Sequence, residues 1–208
     1  MRLHILVEGP SDAALLRGWF PRLLPQHTFN IILHRGKGRL PGDPSIRVDP
    51  RREGLLDQLP AKLRAYGRAL NPATDRVLVF LDLDDAHCLD LKARLLKVLE
   101  SCDPPPTVLF RIAIEETEAF YLGDSEAIKR AFPQARLHKM REYVQDSICG
   151  TWEIFMDVIG AQVEDKVEWA EKMSLHLGTT WKGARANQSP SFCQFCRGLL
   201  TLAGEPVE

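Results

Sequence analysis

Glu8, Asp82 and Asp84 are the residues whose types and positions most plainly carry chemistry. Glu8 follows the apolar stretch 3–7 and precedes a glycine, and Asp82 and Asp84 follow the apolar stretch 76–81. A third acidic group, Glu115, Glu116 and Glu118, follows the apolar stretch 107–114. If the three stretches are strands of one open α/β sheet, their carboxyl ends are where ligands sit. Two carboxylates about 4 Å apart repel by roughly 4 kcal/mol at an effective dielectric of about 20. Several in one crevice therefore call for a cation or for bound protons. An all-oxygen donor set favours Mg²⁺ or Mn²⁺ over zinc, as one ion or two. Asp12 and Asp85 have a plainer reading beside this one: an acid just after a strand often caps the next helix or closes a turn.

The elements that must position these groups alternate. Residues 3–7 read as a strand, 13–20 as a helix, 28–34 as a strand and 55–70 as a helix that Pro60 breaks or kinks. Between them, 36–46 is too rich in Gly and Pro for regular structure. Residues 76–81 are continuously apolar, the mark of a strand covered on both faces. Residues 89–99 are amphipathic helix, and 107–114 are a further strand. Alternating strand and helix predicts a parallel sheet flanked by helices. Beyond 118 every patterned segment is helical: 125–132, 152–159, 165–177 and 191–202. The reading is an α/β core over 1–122 and a helical extension over 123–208 packed on it.

Basic residues form the second ingredient. Arg35, Lys37 and Arg39 lie on the Gly-rich loop after the second strand, where they could cradle phosphate without the full Walker spacing. A solvated loop is the alternative. Lys166 and Lys172 lie on a helix near Trp169, and either could neutralise a transition-state oxyanion. Interleaved Glu164, Asp165, Glu168 and Glu171 also make that helix readable as a solvated face. Trp152, Trp169 and Trp181 read as packing anchors of the extension. Cys193 and Cys196 form one CxxC without a second pair, so two helical thiols are expected rather than a zinc site.

The first motif, LHILVEGPSD, resembles the opening motif of TOPRIM domains: an apolar strand, Glu-Gly, then an Asp three residues after the Gly. VLVFLDLDD resembles their second, an apolar strand ending in Asp-x-Asp. TOPRIM domains occur in topoisomerases, bacterial primases, small maturation nucleases and OLD-family nucleases. A compact bacterial TOPRIM-like family associated with ATPases in defence-type gene clusters is the nearer likeness. There the similarity extends over HRGKG, DLDDAHCLDLKARL, IEETEAFYLGD, DKVEWAEKM and SPSFCQF, most of the chain. The resemblance implies a TOPRIM-like (Rossmann-like) sheet and metal ligation by Glu8, Asp82 and Asp84. OLD-type members imply Asp12 as well, and a later glutamate falling on Glu118, with Glu116 its rival. It further implies phosphodiester cleavage or nicking with Glu8, Asp82, Asp84 and Lys172 in catalytic roles, and nucleic-acid contacts by Lys37, Arg39 and Lys166. A TOPRIM-fold adaptor or toxin subunit acting through an ATPase partner is the other function the resemblance allows. The stretch FLDLDDA also resembles the nucleophile strand of haloacid-dehalogenase-like phosphatases. It lacks the Thr or Val that follows there, and Glu8-Gly9 would be left without a role.

Composition sets the outer bounds. The 208 residues carry a formal net charge of −1, so any nucleic-acid face must come from local clusters. The opening segment meets acidic residues too soon for a secretory signal, and no apolar run has the length of a membrane span. Five cysteines without framework spacing fit a reducing compartment. A cytoplasmic protein is expected.

Overall fold

A computed structural model of the chain describes residues 1–45, 49, 51–84, 86–183 and 185–207. Four strands and three intervening helices alternate in its first half: β1 (Arg2–Val7), α1 (Pro10–Leu23), β2 (Thr28–Leu33), α2 (Leu55–Ala69), β3 (Asp75–Asp82), α3 (Cys88–Glu100) and β4 (Val108–Ala113). All pair in parallel, in the order β2-β1-β3-β4. The stretches 3–7 and 77–81 are therefore neighbours, with Leu3 opposite Arg76 and Leu6 opposite Val79. Their central position explains their continuous apolar character, because a central parallel strand is covered on both faces.

Side-chain alternation divides the sheet into two unlike faces. Leu3, Ile5, Val7, Leu78 and Phe80 point into one core, and Leu6, Val77, Val79 and Leu81 into the other. The second core is aliphatic and is closed by Leu55, Leu56, Leu59 and Leu63 of α2 and by Leu91, Leu95 and Val98 of α3. Pro60 does not break α2, which runs through it to Ala69. A proline ring removes one intrahelical hydrogen bond, and burial of the leucine stripe around it holds the helix together across that gap.

The first core is aromatic. Trp19 and Phe20 of α1 share it with Phe80 and with side chains from helices that follow the sheet: α4 (Glu118–Leu122), α5 (Ser125–Ala131), α6 (Thr151–Ile159), α7 (Lys166–His176) and α8 (Pro190–Ala203). A 3-10 turn spans Leu137–Met140. Phe195 packs on Trp19, Phe20, Phe80 and Phe120, with ring centroids 5.0 to 6.3 Å apart. The segment after residue 122 is helical as expected, and it shares this core with α1 and the sheet. Helix α7 lies directly against α1 (a Cβ at Gly18 would overlap Ser174), and Arg22 of α1 donates to the carbonyls of Ser174 and Leu177 at 2.8 Å each.

The loop 36–45 holds no helix or strand, and Ile46, the last residue of that expected loop, lies outside the described residues. Asp85, read as a possible turn residue, lies outside them too. Cys193 and Cys196 are free thiols on α8. Among the described residues no helix is long and apolar enough to cross a membrane.

Candidate functional site

The carboxyl ends of β1, β3 and β4 bring acidic side chains to one crevice. Glu8 follows β1 and accepts a hydrogen bond at Oε1 from the backbone N–H of Asp82 (2.9 Å). This bond crosses between the ends of the two central strands and ties the first motif to the second. Asp82, the last residue of β3, points to the aromatic side of the sheet by alternation from Leu78 and Phe80. Asp12 sits one turn into α1, where Oδ2 accepts from the Gly9 backbone N–H at 3.3 Å. Its other oxygen faces the crevice, so the capping role and the site role belong to one carboxyl group.

Thr117 joins the cluster. Its Oγ1 lies 3.0 Å from Asp12 Oδ1 and 3.0 Å from Asp82 Oδ1. A hydroxyl has a single proton to donate. With two carboxyl oxygens around it, one contact is satisfied by the hydroxyl's proton and the other by a proton on the second carboxyl. The crowding has the same signature in four of the acids. Burial, with the charges of Asp12 and Asp84 adding to it, raises Glu8 from 4.5 to about 8, against hydrogen bonding from Asp82 and the attraction of Lys37. Burial raises Asp12 to about 6, against its bonds to Thr117 and Gly9. Asp82 lies well above the ordinary carboxylate range, through burial first and then the charges of Asp12, Glu8 and Glu118. Burial raises Glu118 to about 7, against the pull of Lys166.

Two lysines supply partial compensation. Lys37 reaches in from the loop after β2, and its ammonium donates to the carbonyls of Asp82 (2.5 Å) and Leu83 (3.0 Å) and to Asp84 Oδ2 (2.8 Å). Lys166, at the start of α7, donates to Glu116 Oε2 at 2.9 Å and lies over the Trp152 ring, 5.1 Å from its centroid. Burial pulls Lys166 down, but Glu118, Glu116 and Asp82 outweigh it and hold its charged form more firmly than usual.

The three glutamates after β4 have separate fates. Glu115 has φ +60 and turns away from the crevice. Its carboxylate accepts from the backbone N–H groups of Cys149, Gly150 and Thr151 and from the Thr151 hydroxyl, at the start of α6. Burial raises its pKa, but these donors win and hold it below the usual range. Glu116 is the partner of Lys166. Glu118 is buried at the start of α4 and is the one felt by Asp82 and Asp12. Asp84 also has a positive φ, +53, and its N–H donates to the Glu115 carbonyl at 2.9 Å. The two left-handed residues thus lock the ends of β3 and β4 together, at a cost on the order of 1–3 kcal/mol each.

The structure therefore gathers Glu8, Asp12, Asp82 and Glu118, with Lys37 and Lys166 against them. Asp84 stands at the rim, its side chain about half exposed and paired with Lys37. Arg39 is exposed on the loop beyond Lys37. Lys172 points elsewhere: it pairs with Glu168 at 2.6 Å and lies over the Phe132 ring. Six positions separate it from Lys166, so the two project from different sides of α7. Thr117 is the member that sequence reading missed. A threonine among glutamates gives no signal until the fold places its hydroxyl between two aspartates.

The donor set is chemically suited to a hard divalent cation, because it offers carboxylate oxygens whose charge the two lysines only partly balance. Among the described residues, no group of three or more His, Cys, Asp or Glu side chains is already arranged to hold an ion. Asp12 and Asp82 share Thr117, Glu8 is turned to a backbone N–H, and Asp84 is engaged by Lys37. Comparison of the chain with family models, curated proteins and solved structures returned no match.

Proposed function

We propose that the chain is a divalent-metal-dependent nuclease of TOPRIM type that cleaves or nicks phosphodiester bonds of nucleic acid. One observation carries this reading: carboxyl groups from three strand ends and the first turn of α1, Glu8, Asp82, Glu118 and Asp12, crowd one crevice until their protons are held above the ordinary range. Such crowding is costly for a purely structural site, and it is relieved when a cation enters. Mg²⁺ or Mn²⁺ would be held by Glu8, Asp82 and Asp84, with Asp12 and Glu118 available to a second ion. The metal supplies Lewis-acid polarisation of the phosphate and a water of lowered pKa.

The remaining steps belong to the protein. With a single ion held by Asp82 and Asp84, Glu8, whose pKa burial pushes up to about 8, is suited instead to take a proton from the attacking water or return one to the leaving oxygen. Lys166 is fixed by Glu116 and Trp152 and offers positive charge to a non-bridging phosphate oxygen. Lys37 is held by three oxygens at the end of β3, and would be free to meet phosphate if Asp84 were a ligand of the ion. Thr117 keeps Asp12 and Asp82 at a fixed separation.

The test is cleavage of single- and double-stranded DNA and RNA by purified protein with Mg²⁺, with Mn²⁺ and with EDTA. Metal-dependent cleavage that EDTA stops and that Asp82→Asn lacks is the expected result. No cleavage of any substrate, together with no Mn²⁺ binding by calorimetry, would overturn it in favour of an adaptor working through an ATPase partner.

A further inference from the structure

A second site of opposite character lies along the outer edge of the sheet. Strand β4 is an edge strand, and beside it α8 leaves a groove of about 740 Å³. Arg76, Arg111 and Arg197 line it together with Thr107, Gln194 and Thr201, and no Asp or Glu contributes to the lining. Among the described residues, none of these three arginines forms an ion pair. Arg76 donates from Nη1 to the carbonyls of Pro72 and Asp75 at 2.7 and 2.8 Å, and Arg111 is held in the same way. Its Nε donates to the Gln194 carbonyl at 3.1 Å and its Nη1 to the Phe110 carbonyl at 3.0 Å. Its guanidinium lies flat against α8, where only a glycine, Gly198, leaves room for it. Holding a cation half-buried without a counter-ion disfavours its charge, as the lowered pKa of Arg111 records. An incoming anion would remove that penalty.

We infer that this groove binds the phosphodiester backbone of a nucleic-acid strand through Arg76, Arg111 and Arg197. Three features select this ligand. First, the arginines are strung out rather than focused on one point. Arg76 precedes the residue opposite Val108, so Arg111 lies four residues further along the sheet, about 13 Å at the strand rise. That spread suits successive phosphates better than a single one. Second, Arg111 lies towards the carboxylate end of the sheet: it is opposite Phe80, two residues and about 7 Å along the strand from Asp82. Third, an added peptide strand is disfavoured, because the Arg111 guanidinium already occupies the Phe110 carbonyl on the edge of β4. The inference rests on the nuclease reading for its purpose: an acidic crevice repels a polyanion, so substrate affinity must come from a basic surface nearby.

The test is binding of a fluorescent single-stranded oligonucleotide in EDTA, where cleavage cannot intervene, over a series of salt concentrations. Arg76→Gln/Arg197→Gln removes two exposed or half-exposed cations and leaves Arg111 packing intact. It is expected to weaken binding at least tenfold and to flatten the slope of log affinity on log salt by about 1.4, at roughly 0.7 per phosphate contact on a single strand. Arg197→Lys is expected to retain most of the slope. Asp82→Asn is expected to bind at least as well as wild type. Equal affinity and slope in wild type and the double glutamine variant overturn the inference, as does wild type that binds neither DNA nor RNA. Equal competition by a mononucleotide or by polyglutamate would also overturn it, in favour of a small-ligand or acidic-peptide site. Arginine-dependent binding by a protein that never cleaves leaves this inference standing while the nuclease reading falls. Cleavage by wild type with arginine-independent binding does the reverse.

Discussion

The two faces of one four-stranded sheet differ in what covers them and in what they can do. The aliphatic face is closed by α2 and α3, helices that lie in sequence between the strands they cover. The aromatic face is closed by α1 and by helices that arrive only after the last strand. Most of the candidate site borders the second face, while Lys37 reaches in from a loop bonded to the start of α2 on the first. Asp82 follows Leu78 and Phe80 onto it, Asp12 comes with α1, and Thr117, Glu118 and Lys166 come with the helical extension. A strand end is a common place for a carboxylate, but several carboxylates become one site only when separate parts of the chain converge. Local packing supplies stability on one side, and long-range packing supplies a reactive arrangement on the other.

The sharpest break in this comparison is Asp82→Asn. It removes charge at the centre of the cluster and should lower cleavage by on the order of a thousandfold, the scale of losing several kcal/mol of metal-assisted stabilisation. The same change should raise the melting temperature of the metal-free protein near neutral pH, because a buried acid that must be kept from ionising in the fold is replaced by a neutral amide. A rate close to wild type, or a lowered melting temperature, would separate Asp82 from the site. Paired core truncations come next. Phe195→Ala on the aromatic face should cost about 3–5 kcal/mol and Leu95→Ala on the aliphatic face about 2–5 kcal/mol in denaturant unfolding. Only the first should weaken Mn²⁺ binding by the folded protein, since Phe195 packs on Phe80 and Phe120, two positions from Asp82 and Glu118. Equal loss of Mn²⁺ affinity in both variants would erase the distinction between the faces.

A smaller effect follows from the raised acids. In the folded, metal-free protein Glu8, Glu118 and Asp12 bind protons up to about 8, 7 and 6, whereas their ordinary values are 4.5, 4.5 and 3.8. The folded state then holds more protons than the unfolded one across this window. Their contribution to stability is present below the ordinary values and is lost as pH rises through the folded ones. Melting temperature in EDTA should therefore fall between about pH 5 and pH 8, and Mn²⁺ should restore it most at the upper end. A melting temperature that rises over this range would contradict the crowding of the crevice. The smallest expected effect is that of Lys172→Ala. Its exposed pairing with Glu168 is worth less than about 1 kcal/mol. Cleavage should be unchanged, whereas Lys166→Ala should be slow; a slow Lys172→Ala enzyme would reverse the roles of the two lysines.

How much of this was legible in sequence follows the same division. The parallel sheet, the adjacency of 3–7 and 77–81 and the amphipathic covering helices were readable, because apolar periodicity and strand–helix alternation are local signals. The persistence of α2 through Pro60 was not, because a propensity rule carries no information about the packing that overrides it. Glu8 and Asp82 were readable from their place after apolar runs. The sorting of Glu115, Glu116 and Glu118 was not, for three adjacent acids look alike until Glu115 is seen bonded to the start of α6 and Glu116 to Lys166. Lys172 was given the catalytic role and Lys166 a nucleic-acid contact, and only the fold shows that Lys166 is the one facing the carboxylates while Lys172 pairs with Glu168.

The contact between α1 and α7 also sets a schedule for the molecule's birth. The Trp19 indole donates to the carbonyl of Gly178, 159 residues later, at 2.9 Å. At a synthesis rate of about 5–20 residues per second, that partner leaves the ribosome roughly 8–30 seconds after the tryptophan does. During this interval the aliphatic half can close as its own strands and helices emerge, while Trp19, Phe20 and Phe80 wait uncovered. The nascent chain is consequently a natural client for chaperones that shield aromatic surface. A message truncated before α7 yields a product with half a core finished and the other half adhesive.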